Sequence, residues 1–67
     1  MEEIIFLVEE SNEGGFTAKA IGHGIFTEAE NYDLLKEEVI DAVHCHFDDG
    51  IKRIIRLHYV KDEVIAA

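Results

Sequence analysis

Sixty-seven residues, 48% of them apolar, describe one small folded domain, too short for a two-domain enzyme and too apolar for a disordered chain. Fifteen Asp and Glu against six Lys and Arg leave a net charge of −9, which excludes unaided attraction to nucleic acid, because duplex binding needs a basic stripe that displaces counterions. A single cysteine, Cys45, excludes an internal disulfide and a multi-cysteine zinc site.

The chain opens Met-Glu-Glu, without the basic segment of a signal peptide, and its first apolar run is far shorter than the ~20 residues that span a membrane. With one free thiol, this composition predicts a cytoplasmic protein with no membrane contact. The first element is a strand over Glu3–Glu10. Ile4-Ile5-Phe6-Leu7-Val8 is apolar at both alternating positions, the pattern of a central strand covered above and below.

Ser11-Asn12-Glu13-Gly14-Gly15 reads as a tight reversal, since Gly14 and Gly15 supply the positive φ it requires. Phe16–Ile21 is the returning strand, Gly22-His23-Gly24 breaks it, and Ile25-Phe26-Thr27 is a short third strand. Asn31 is the expected N-cap of a helix over Tyr32–Asp48 that stops near Gly50. On that helix Tyr32, Leu35, Val39, Ala42, Val43 and Phe47 share one face, while Glu37, Asp41, His44 and Asp48 point away.

Ile51–Val60 is the last strand, with Ile55, Leu57 and Tyr59 on one side and Ile54, Arg56, His58 and Val60 on the other. The chain closes on an apolar tail, Val64-Ile65-Ala66-Ala67. The predicted class is α+β in the order β-β-β-α-β: an antiparallel three-stranded meander, a parallel fourth strand beside the first, and one helix on one sheet face. One helix leaves the other face open. A homodimer or higher homo-oligomer is the expected cover, with Ile5, Leu7, Val64 and Ile65 at the interface.

Candidate chemistry is sparse. His44 and His46 diverge by about 200° on a helix and cannot grip one ion, so no metal is expected and His46 is read as a packed histidine. Cys45 sits near the negative helix end, which raises a thiol pKa instead of activating it. Lys52, Arg53, Arg56 and Lys61 form the one basic stretch. No catalytic set and no cofactor site emerges.

Glu13-Gly14-Gly15-Phe16-Thr17-Ala18, Ile21-Gly22, Ile25-Phe26-Thr27-Glu28-Ala29 and the helix end Asp41-Ala42-Val43 with His46-Phe47 resemble the HicB-like antitoxin domain, over roughly residues 3 to 60. The resemblance implies a partial ribonuclease-H-like fold of the same β-β-β-α-β order, as a single domain over 1–67. It also implies a non-catalytic module that binds and neutralises a small basic HicA-like toxin, an mRNA-cleaving ribonuclease. Family members with a DNA-binding segment carry it after this domain, and operator binding is not expected of the present chain. Glu9, Glu10 and Glu13, beside the glycine turn, are the expected contacts for a basic partner. The alternatives are an orphan homo-oligomer and a relic Mg²⁺ enzyme that joins Glu9 or Glu10 to Asp33 or Glu37.

Overall fold

A computed structural model describes residues 2–67. β1 (Glu2–Glu10), β2 (Phe16–Ala20), β3 (Phe26–Ala29), α1 (Tyr32–His46) and β4 (Arg53–Val60) follow in the expected order. They build one mixed sheet, β3-β2-β1-β4, with β1 antiparallel to β2 and parallel to β4.

The register decides which half of β1 is core. Ile4, Phe6 and Val8 stand beside Ile55, Leu57 and Tyr59 of β4, and Phe6 and Val8 stand beside Ala20 and Ala18 of β2. All of these point to the helix. Leu35, Val39 and Val43 of α1 close over them, and with Ile4, Phe6, Val8, Ala18, Ala20 and Ile25 they form the buried cluster, with Ile55 and Leu57 half-buried at its edge. Burying a side chain of this size contributes about 1.5–3 kcal/mol, so Phe6, Val8, Leu35 and Val39 carry much of the stability. Ile5 and Leu7 both face the opposite, helix-free side, the first exposed and the second half-buried.

Asn31 caps α1 as expected: its Oδ1 accepts the Leu34 amide at 2.8 Å from an extended backbone. The helix ends at His46, two residues earlier than Asp48. Phe47 leaves helical geometry while its N–H still donates to the Val43 carbonyl at 2.9 Å, and its ring turns under the Arg53 guanidinium, 4.1 Å away. His46 is therefore exposed and not packed in the core, because the helix ends there and Phe47 takes the place against the core. Its ring rests instead against Phe47 and His23.

Strand boundaries also move: β1 starts one residue earlier, at Glu2, and β3 runs two residues further, to Ala29. β3 starts at Phe26, because Ile25 is the buried anchor of the preceding turn and its carbonyl accepts the Ala20 amide at 3.0 Å. β4 starts at Arg53, because the Asp49 carboxylate accepts the Ile51 amide at 3.0 Å and holds the chain in a bend first. β2 ends at Ala20, although the Ile21 amide still donates to the Ile5 carbonyl at 2.9 Å. Residues 61–67 form no regular element, and Val64 and Ile65 are 95% and 79% exposed. The molecule is consequently long, 51 × 20 × 18 Å.

In the β1–β2 turn the Ser11 amide donates to the Gly15 carbonyl and the Gly14 amide to the Ser11 carbonyl. Gly14 has φ +87° and Gly15 φ +95°. A Cβ on Gly14 would meet open space, whereas one on Gly15 would lie 2.8 Å from the Ala29 carbonyl oxygen. Gly14→Ala should therefore cost about 1–2 kcal/mol, the left-handed penalty alone. Gly15→Ala should cost more, since a backbone carbonyl in the sheet must also shift. Urea unfolding of the two variants checks the order.

Candidate functional site: two opposite sheet ends

The two ends of the sheet differ in charge. At the end where β1 finishes, β1 and β2 place Glu9 beside Thr17, and β2 and β3 place Thr17 beside Glu28, so Glu9, Thr17 and Glu28 form a row across the helix-free face. Glu10 and Glu13 follow on the turn and Glu30 ends the β3 side. Two shallow clefts open here and share Ser11 and Thr17. One, of about 420 Å³, is bordered by Glu9, Glu10 and Asp62 with Lys61. The other, of about 330 Å³, is bordered by Glu13, Glu28 and Glu30.

The three carboxylates expected from sequence thus stand together, all exposed. Glu28 joins them through strand register, and Glu30 and Asp62 follow just beyond the ends of β3 and β4, a gathering that their separation along the chain conceals. Of this group, Glu10 accepts a 3.3 Å hydrogen bond from the Tyr59 hydroxyl. Burial raises the Tyr59 phenol pKa, and the neighbouring Glu10 charge raises it further. Tyr59, Phe16 and Tyr32 form a three-ring cluster with centroids 5.7–5.9 Å apart, which ties β4, β2 and the start of α1 together beneath the acidic end.

The opposite end holds the cations in internal pairs. The Arg53 side chain is only 6% exposed; its Nε donates to Glu2 at 2.8 Å and its NH2 group to Asp49 at 2.7 Å, while its plane covers Phe47. The hydrogen bond from Arg53 holds the Asp49 carboxyl down at about 2, against an ordinary 3.8, with the Ile51 amide adding to the effect. Arg56, on the other face, pairs with Glu3 at 2.8 Å. The basic stretch of the sequence is therefore split between two faces, and both of its arginines are neutralised locally. A cleft of about 430 Å³ between Phe47, Lys52 and Arg53 flanks this end.

His44, Cys45 and His46 are all exposed. His23 does approach His46, with ring centroids 6.2 Å apart, yet no three His, Cys, Asp or Glu side chains converge as a metal site among the described residues. Asp33 pairs with Lys36 at 3.2 Å. No helix among the described residues is long and apolar enough to cross a membrane.

A UPF0150 protein of Thermotoga maritima is 40% identical over 65 residues, spanning 97% of this chain and 93% of its own length. The chain belongs to the UPF0150 family. A second UPF0150 protein, from Archaeoglobus fulgidus, is 54% identical over 50 residues, 75% of this chain and 74% of the relative. No protein-family model matches the chain, and no solved structure matches it. The 65-residue likeness to the Thermotoga maritima protein runs through all five elements, so the family resemblance concerns this whole fold unit.

The Asp49–Arg53 pair gives a pH test. A carboxyl whose folded pKa is depressed adds stability that is complete above its unfolded value near 3.8 and disappears as pH falls through about 2. Stability from urea unfolding should fall between those two pH values in the parent protein, and Asp49→Asn should flatten that part of the profile.

Proposed function

We propose that this UPF0150 chain is a non-catalytic, HicB-like antitoxin module that binds a small basic protein, of the HicA-like mRNA-cleaving kind, at the acidic end of its sheet. The observation that carries the reading is the gathering of Glu9, Glu10, Glu13, Glu28, Glu30 and Asp62 around one sheet end, where Lys61 is the one cation that borders their two clefts among the described residues. Among the described residues none of the six is held in an ion pair, whereas Arg53 and Arg56 are both spent on internal partners. The end therefore projects an unbalanced negative field, the complement of a basic surface.

Its placement also suits binding. The turn carries charge on a loop without disturbing the core, while the Phe16–Tyr32–Tyr59 cluster and two paired strands fix its base. The glycine-turn motif and the β-β-β-α-β order add the resemblance to HicB-like domains as independent support.

Charge at such an interface acts mainly on encounter. Reversing Glu9, Glu10 and Glu13 to lysine should slow association with a HicA-like protein by about tenfold or more at low salt, and should weaken its salt dependence. Stopped-flow association at two salt concentrations reads both. A rate and salt slope equal to those of the parent protein would contradict the reading, as would failure of the parent protein to retain any basic protein.

A further inference from the structure

The helix-free sheet face is an apolar surface that the fold leaves open. Ile5 and Leu7 of β1 lie at its middle, Ile21 and Phe26 toward β3, and Ile54 and Val60 on β4. Phe26 and Ile21 are 62% and 60% exposed. We infer that this face is the docking surface for a second copy of the same chain, packed sheet against sheet.

Charge identifies the occupant. The chain carries −9 overall, but the strand register places only Glu3, Glu9 and Glu28 on this face, against Lys19 and Arg56. One net negative charge remains there, and Glu3 and Arg56 already pair. The acidity of the molecule is thus kept on the turn, the outer side of α1 and the tail. Two chains that repel everywhere else can meet here.

The remaining charges are complementary between copies. Lys19 stands in the row of Leu7 and Phe26 and has no ion-pair partner among the described residues, while Glu9 and Glu28 occupy the next row. A facing sheet about 10 Å away brings carboxylates within reach of each lysine. A basic protein finds no such complement on a face whose own cations sit at its centre. An anionic membrane would meet two cations set among three carboxylates, beside the acidic sheet end.

Size agrees. Four strands about 4.8 Å apart, of nine, five, four and eight residues at roughly 3.3 Å each, cover on the order of 400 Å² in projection. With side-chain relief this is on the order of 500–600 Å² of accessible surface per partner, about 1,000–1,200 Å² in total, which meets the ~1,000 Å² that a specific interface needs at the small end of the range. The surface shares Glu9 and Glu28 with the acidic end, but its apolar centre at Ile5, Leu7, Ile21 and Phe26 borders neither acidic cleft, so the two readings are tested at different residues.

Sedimentation equilibrium from low to high micromolar concentration tests the inference. The parent chain should sediment at about twice its 7.6 kDa. The double variant Ile21→Asp/Phe26→Asp, at two positions outside the core, should weaken association about a hundredfold or more by burying unpaired charge. Ile40→Asp, on the exposed side of α1, should remain dimeric. Far-UV circular dichroism checks that each variant folds. If the double variant does not fold, Lys19→Glu takes its place and should also loosen the dimer. A monomeric parent protein, a dimer that survives the substitutions on this face, or dissociation by Ile40→Asp would each overturn the inference.

Discussion

The pairing of β1 along both of its edges is the constraint on which the other elements depend. Its antiparallel bonds to β2 set Val8 beside Ala18, and its parallel bonds to β4 set Phe6 beside Leu57. The parallel pairing requires a crossover, and α1 supplies it. Once α1 crosses, Leu35, Val39 and Val43 have one surface to bury against, the row Ile4, Phe6 and Val8. Core, helix direction and strand order all follow from that strand.

The same constraint divides the molecule's outer surface. One helix covers one face and lies nearest β3 and β2, so the second apolar row of β1 faces outward. Small alanines at 18 and 20 let the helix approach the sheet closely. Charges are sorted along the strands as well. Arginines at the start of β4 meet acids at the start of β1, while the finish of β1, the turn and β3 collect carboxylates with few cations. One end is thereby braced and the other presents charge to solvent.

Much of this was legible in the residues. The element order, the Asn31 cap, the glycine turn and the inner helix face came from local chemistry that tertiary contacts did not override. The side of β1 that meets the helix was not legible, because Ile5 and Leu7 are as apolar as Ile4, Phe6 and Val8 and periodicity cannot separate them. The role of Arg53 was hidden too. In sequence it belongs to a basic run, and only the fold places Glu2, Asp49 and Phe47 around it. Glu9, Glu10 and Glu13 could be named from their position beside the turn, but Glu28 reaches them only through the β2–β3 register, with Glu30 just beyond the end of β3. His46 was misplaced because helical phase says which way a residue points and not where the helix ends.

The central claim of this account is that both apolar rows of β1 are covered, the inner one by α1 and the outer one by a second chain. Methyl relaxation of the protein in a soluble paramagnetic chelate, at high micromolar concentration, reads that directly. Ile5, Leu7 and Ile21 methyls should be shielded well beyond their exposure in a single chain, with Ile40 and Leu34 strongly relaxed. Relaxation of Ile5 and Ile21 as strong as that of Ile40 would contradict the claim.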